Sequence, residues 1–79
     1  MSEPILCQFG AAVRKLRREK NISQEQLADM CCLHRTYISD VELGKRNVSL
    51  ENIAKMAYAL GISVTALFTE VENNHESIF

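Results

Sequence analysis

The chain has 79 residues, of which 47% are hydrophobic and 24% are charged, and its formal net charge is −1. This length allows one small domain with a marginal core, and the balance of positive and negative charges excludes a disordered chain. There is no signal peptide and no apolar run near the length of a membrane span, and the three cysteines are an odd number that gives no disulfide framework, so we expect a cytoplasmic protein with reduced thiols.

Apolar residues recur at helical spacing and no run alternates with a period of two, so the sequence predicts five helices and no strands. Helix 1 is predicted over about residues 6–20, and Asn21 followed by the apolar Ile22 is typical of a left-handed helix end. The apolar face of helix 1 would consist of Leu6, Phe9, Val13 and Leu16.

Helices 2 and 3 are short and separated by a turn without proline. Ser23 is the predicted N-cap of helix 2 and forms a capping box with Gln26, and this helix runs to about Cys31. Helix 3 is predicted over about residues 35–43, where Gly44 closes it, and polar groups crowd its start. This is the pattern of a helix-turn-helix, in which the second helix presents side chains to base edges in the major groove of DNA.

Helices 4 and 5 complete the predicted fold. Ser49 caps helix 4, which Gly61 ends, and Ser63 caps helix 5. The predicted inner face of helix 4 is Leu50, Ile53, Ala54, Ala57 and Leu60, and helix 5 carries Val64, Leu67, Phe68 and Val71. Residues 73–79 are expected to fray, which gives a single domain over residues 1–79 with a core of about 6–72.

The charges are distributed unevenly. Residues 1–47 hold eight Lys and Arg against six Asp and Glu, whereas residues 48–79 hold one against four. This asymmetry fits a domain with one side facing DNA, although a run of charges is usually a solvated helix face. The basic residues are Arg14, Lys15, Arg17, Arg18 and Lys20, then Arg35, Lys45 and Arg46.

Several residues stand at the spacing of a known family. They are Gln24-x-x-x-Ala28-x-x-x-Cys32 and Tyr37-Ile38-Ser39-x-x-Glu42-x-Gly44-x-Arg46. Over about residues 9–68 the chain resembles the Cro/C1-type (Xre-like) helix-turn-helix repressors, and it is most similar to the controller proteins of restriction-modification systems. The resemblance implies an all-α, five-helix, lambda-repressor-like domain that binds DNA and is not an enzyme. Where the family usually has glycine, this chain has Cys32.

Contacts with the DNA backbone follow from the resemblance. Gln24 would contact a phosphate from the start of helix 2, where free N–H groups favour an anion, and the alternative is an exposed glutamine. Lys45, Arg46 and Asn47 follow helix 3 and are expected against phosphates or the groove edge. The Tyr37 ring would pack on the turn while its hydroxyl reaches the DNA backbone.

Base contacts are expected from the first turn of helix 3. Arg35 can donate two hydrogen bonds to guanine, and Thr36 offers a hydroxyl or a methyl group to a base. Ser39 lies one turn further on the same face. A phosphate contact or a solvated side chain is the alternative for Arg35. Asp40 also falls on this side, where it would repel phosphate. It could accept a hydrogen bond from cytosine or orient Arg35, and we assign it neither role.

Other polar residues receive structural interpretations. In the family, residues at the positions of Arg17 and Glu42 form a salt bridge that ties helix 1 to the end of helix 3. Cys31, Cys32 and His34 lie close together, but adjacent cysteines do not readily bind one zinc ion and a fourth ligand is missing. We therefore expect no metal. The sequence also has no plausible nucleophile–base pair, glycine-rich phosphate loop or carboxylate dyad, so we expect no catalytic centre, and we expect no cofactor.

The small core and the stripe on helix 5 predict a homodimer. Leu67 would pack on helix 4, which would leave Phe68 and Val71, with Val64, to meet their copies across a two-fold axis. The acidic residues Glu70 and Glu72 would rim this interface.

The sequence thus predicts a bacterial or phage regulator that binds an approximately palindromic DNA operator as a homodimer, without a ligand and without a membrane. The regulator would repress transcription by blocking RNA polymerase or activate it by contacting RNA polymerase. An antitoxin or a phage repressor is an alternative of the same class. A protein-interaction module that reuses the fold without DNA is an alternative of another class, and Arg35, Thr36 and Arg46 argue against it because such a module would not need them.

Overall fold

The computed structural model describes residues 4–78, and the side chains of residues 4–73, as an arrangement of five helices. The helices are α1 Pro4–Glu19, α2 Gln24–Cys31, α3 Arg35–Glu42, α4 Leu50–Ala59 and α5 Val64–Ile78. No strand occurs within residues 4–78, and the predicted all-α class is confirmed. In the same part of the chain, no helix combines the length and the hydropathy that a membrane span requires.

Local signals in the sequence set most helix ends. The Ser23 hydroxyl accepts from the Gln26 N–H at 3.0 Å, and the Gln26 side chain accepts from the Ser23 N–H at 2.7 Å, so the predicted capping box is confirmed. Asn21 adopts the predicted left-handed conformation with φ 58°. The start of α1 was predicted two residues too late, because Pro4 has the fixed φ that suits the first helical position.

The turn between α2 and α3 depends on Cys32. This residue has φ 57° and ψ 40°, the left-handed conformation that favours glycine. The N–H of Leu33 donates to the carbonyl oxygen of Ala28 at 2.9 Å and closes the turn. A side chain in this conformation costs about 1 kcal/mol relative to glycine, which a well-packed turn tolerates. Cys31 points into the core, where burial raises the pKa of its thiol, whereas Cys32 is exposed.

The inner face of α4 differs from the prediction. Ile53, Met56, Ala57 and Leu60 form the buried or half-buried stripe, at the spacing i, i+3, i+4, i+7. This stripe turns the first-turn leucine away from the core, so that Leu50 is 84% exposed. The placement of Leu50 and Ala54 on the inner face was therefore wrong, and Met56, which is fully buried, was missed.

The orientation predicted for α5 was also wrong. The sequence placed Phe68 and Val71 on the outside, whereas Val71 is 1% exposed and Phe68 is half-buried, with its ring centroid 5.8 Å from that of Phe9. The physical reason is that α5 packs more extensively on α1 than on α4, so that a wider face of α5 is covered. Of the predicted interface residues, only Val64 is exposed, at 44%.

The predicted frayed tail is helical in the structure. Helix α5 continues to Ile78, since residues 73–78 contain no glycine or proline that would end it. The last residue of that predicted tail, at position 79, lies outside the described residues.

A close approach between α1 and α3 holds α3 in place. A Cβ atom on Gly10 would stand 2.2 Å from the carbonyl oxygen of Val41 and 2.8 Å from that of Glu42, so only glycine fits there. Two turns along α1, Arg17 Nε donates to Glu42 Oε2 at 2.6 Å and Arg17 Nη2 donates to Glu42 Oε1 at 3.0 Å. This hydrogen bonding raises the pKa of Arg17, and both side chains are buried.

We expect Glu42→Gln to lower the free energy of unfolding by about 3 kcal/mol, because it leaves the buried guanidinium of Arg17 without a counter-ion. Urea denaturation followed by circular dichroism measures the change. The control is Glu70→Gln, which removes the carboxylate of an ion pair with the exposed Lys15 and should have a much smaller effect. Equal losses in the two variants would contradict the structural role of the Arg17–Glu42 pair.

Candidate nucleic-acid interface

Helix α3 has one buried side and one exposed side. Ile38 and Val41 are buried in the core and hold the helix in place. Arg35 and Thr36 are exposed in its first turn, and Ser39 follows half-buried one turn later. The structure therefore brings together the three residues that the sequence proposed for base contacts, on a surface that an approaching ligand can reach.

Arg46 is held beside α3 by two neighbours. Its guanidinium carbon lies 5.2 Å from the centroid of the Tyr37 ring, a distance at which the ring face attracts a cation. Its Nε lies 3.4 Å from Asp40 Oδ2, a long and exposed ion pair. Lys45 and Asn47 are exposed on either side of Arg46. Arg46 is thus placed at the edge of the exposed surface of α3, with a carboxylate competing for its charge.

Tyr37 has a dual position, as the sequence suggested. Its ring is half-buried and packs against the core cluster. Its hydroxyl oxygen accepts a hydrogen bond from Asn52 Nδ2 at 3.1 Å, which leaves the hydroxyl hydrogen available to donate to an anion. Asn52 was missed by the sequence reasoning. The available signal was its place in the first turn of α4, which follows the loop that carries Arg46.

Gln24 connects the start of α2 to the buried ion pair. Its amide nitrogen donates to Glu42 Oε1 at 3.1 Å, so one amide hydrogen is used internally and the other can still meet a phosphate. The bond fixes the side chain at the helix N-terminus, where backbone N–H groups attract anions. Gln24 and Arg46 consequently lie at two edges of the surface that α3 exposes.

Two basic residues near this surface were not assigned to it from the sequence. Arg14 and Arg18, on α1, line a groove together with Gln24, Ser39 and Leu43. Their only sequence signal was membership of a basic run, which does not show which members face the same way as α3.

The exposed groups on α3 and at its edges are of the kinds that contact nucleic acid. Within the described residues, no group of three or more His, Cys, Asp and Glu side chains could hold a metal ion. Arg35 and Thr36 offer hydrogen-bond donors of the kind that read base edges. The guanidinium of Arg46 and the amide of Gln24 are groups of the kind that bind phosphate.

Comparisons with known proteins agree with this geometry. The family model described as helix-turn-helix matches residues 13–67, more than half of the chain. The chain is 53% identical to the control protein C.BamHI of Bacillus amyloliquefaciens over 92% of this chain and 94% of that protein. It is 48% identical to the control protein C.MunI of a Mycoplasma species over 86% of this chain and 93% of that protein.

A solved structure gives the same result. The restriction-modification controller protein C.AhdI from Aeromonas hydrophila superposes with a TM-score of 0.78 and 51% sequence identity, over 80% of this chain and 96% of that chain. The resemblance and the fold predicted from the sequence are confirmed by these findings.

We expect Asp40→Asn to tighten binding to random-sequence duplex DNA by up to about fivefold, because it removes an anion beside Arg46 and releases the guanidinium. A fluorescence-anisotropy titration at low salt measures the change. Glu72→Gln makes the same change of net charge at an exposed position of α5 and serves as the control. If both variants bind random DNA equally well, Asp40 does not restrain Arg46.

Proposed function

The chain belongs to the helix-turn-helix family of DNA-binding regulators, and from that premise we propose that it is the controller of a restriction-modification system, acting as a homodimer on an approximately palindromic operator. The names of its relatives support the controller role, since C.BamHI and C.MunI are control proteins. The proposal locates the protein in the bacterial cytoplasm. RNA polymerase is then the partner that the bound regulator blocks or recruits.

One observation carries the DNA-binding part of this proposal. The exposed first turn of α3 stands between Gln24 at one edge and Arg46 at another, and the opposite side of α3 is buried. A helix that enters the major groove needs this arrangement, because its outer side chains meet base edges while flanking groups meet the phosphates. An interaction module would not require donors on the helix and anion-binding groups on its borders.

We propose that some of these residues contact bases and that others contact backbone phosphates. Arg35, Thr36 and Ser39 would read bases, since their donors lie on the exposed side of α3. Arg46 and Tyr37 would bind backbone phosphates, with Tyr37 oriented by Asn52. Lys45, Asn47 and Gln24 would add further contacts with the phosphates.

We expect Arg35→Ala to weaken operator binding by about 1–3 kcal/mol and to relax the preference at one base pair of each half-site. Arg46→Ala should instead weaken binding to operator and random DNA by similar factors. Footprinting on the DNA upstream of the gene locates the operator, and gel-shift titrations then compare the two variants. Equal losses on both kinds of DNA for Arg35→Ala would reassign Arg35 to phosphate binding.

The dimer interface needs a new location, because Val71 is inside the monomer. The two most exposed large apolar side chains that the structure describes are Leu50, at 84%, and Tyr58, at 87%. With Ala54 they form an i, i+4, i+8 stripe on the outer side of α4, and the exposed Val64 follows at the start of α5. We propose this stripe as the surface that meets its copy, since contiguous exposed apolar groups mark association sites.

Dimerisation through α4 would set the distance between the two recognition helices. Each subunit would read one half-site, with half-site centres about 34–36 Å apart along the DNA. Operator affinity would then depend steeply on protein concentration, as a controller that senses its own level requires.

We expect Tyr58→Asp to give a folded monomer that has lost most operator affinity, because an exposed residue tolerates the charge and an apolar interface does not. Sedimentation and circular dichroism test the two parts of this expectation. Thr69→Asp places the same charge at an exposed position of α5 and should remain a dimer. Val71→Asp should unfold, since its side chain is buried within one subunit. A dimeric Tyr58→Asp would exclude this interface.

A further inference from the structure

The four basic side chains near the C-terminal end of α1 have different environments. Arg17 is buried against Glu42, and Lys15 is paired with Glu70 on α5. Arg14 and Arg18 are exposed, and neither forms an ion pair with a side chain among residues 4–73. Because they are four residues apart, they lie on the same side of the helix, one turn from each other.

These two arginines line a groove against the recognition helix. The groove is lined by residues of α1, of the start of α2 and of the end of α3, and these are Arg14, Arg17, Arg18, Gln24, Ser39, Glu42 and Leu43. The carboxylate of Glu42 carries no excess charge into this groove, since Arg17 compensates it. Glu19 is the other carboxylate close by, beside Arg18 on the adjoining surface of α1.

The groove and Arg46 lie on different flanks of α3. Arg46 lies beside Thr36 and Tyr37, on one flank of α3, whereas Arg14 and Arg18 lie beside Ser39 on another. A helix in the major groove has a phosphate backbone on each side of it, because the two strands border the groove. Without Arg14 and Arg18, the described contacts to the second strand would rest on the uncharged amide of Gln24.

We propose that Arg14 and Arg18 bind backbone phosphates of the DNA strand next to Gln24, so that α1 forms a second phosphate-binding edge of the interface. The inference rests on the proposed DNA-binding function and extends it to a helix outside the helix-turn-helix. It also explains how a chain with a net charge of −1 binds a polyanion. Two of its cations are kept unpaired on the side that faces DNA, while Lys15 on the same helix is neutralised by α5.

The test compares Arg14→Gln, Arg18→Gln and the double variant with Lys20→Gln. Lys20 is the matched control, because its loss removes one positive charge from a side chain whose ammonium lies beside Gly61, between α4 and α5. Affinities for operator and for random duplex are measured by anisotropy between about 50 and about 200 mM salt, and thermal melting verifies that each variant is folded.

The affinity of the wild type should fall steeply as the salt concentration rises over this range. For every phosphate contact removed, the fall should be about threefold smaller, so the double variant should be less sensitive to salt than either single variant. Each substitution should weaken binding to operator and to random DNA by the same factor, so that the base preference is unchanged. Arg14→Lys and Arg18→Lys should retain the wild-type salt dependence, since a lysine also neutralises a phosphate. Lys20→Gln should behave as the wild type.

Salt dependence equal to that of Lys20→Gln in both single variants and in the double variant would overturn the inference. This failure is distinguishable from failure of the proposed function, because the wild type would still prefer operator to random DNA and Arg35→Ala would still relax that preference at one base pair of each half-site. If the wild type bound no DNA at any salt concentration, the proposed function itself would fail and this inference with it.

Discussion

The buried ion pair between Arg17 and Glu42 determines where the recognition helix stands. Buried apolar contacts through Ile38 and Val41 hold α3 against the core, but the hydrophobic effect behind them is non-directional. The two parallel hydrogen bonds from the guanidinium to the carboxylate permit only one register. Gly10 permits the close approach that brings the two helices within reach of this pair. Gln24 then bonds to the same carboxylate, so that the start of α2 and the end of α3 share one fixed point.

The location of the unpaired charges matters more for DNA binding than the net charge of the chain. Arg17 is used internally and Lys15 is neutralised by Glu70, whereas Arg14, Arg18 and Arg35 remain without an ion pair among the described side chains. A small negative net charge is compatible with DNA binding under these conditions, because phosphate binding depends on the local arrangement of cations. Asp40, which lies 3.4 Å from Arg46 Nε, would moderate the attraction of phosphates at one edge of α3.

Local sequence signals predicted the helices, whereas contacts distant in the chain were mostly out of reach. The Ser23 capping box, the left-handed Asn21 and the class of the fold depend on near neighbours, and these predictions are confirmed. Periodicity told which residues of α5 share a face but not which helix covers that face, so Val71 was placed outside. The Asn52–Tyr37 and Arg46–Asp40 contacts depend on how the loop after α3 folds back, which no short-range pattern encodes.

The burial of Val71 changes how assembly and DNA binding are connected. Helix α4 carries the proposed interface on its outer side, while its first turn holds Asn52 against the hydroxyl of Tyr37. In the proposed dimer this helix of ten residues would touch the partner subunit, and it also contacts Tyr37, for which we propose a phosphate contact. An interface on α5 would act on the proposed DNA-binding surface indirectly, through α1 and α4. With α4 as the interface, the relative position of the two subunits would be linked to Tyr37 through Asn52, and the spacing of the half-sites would depend on this helix.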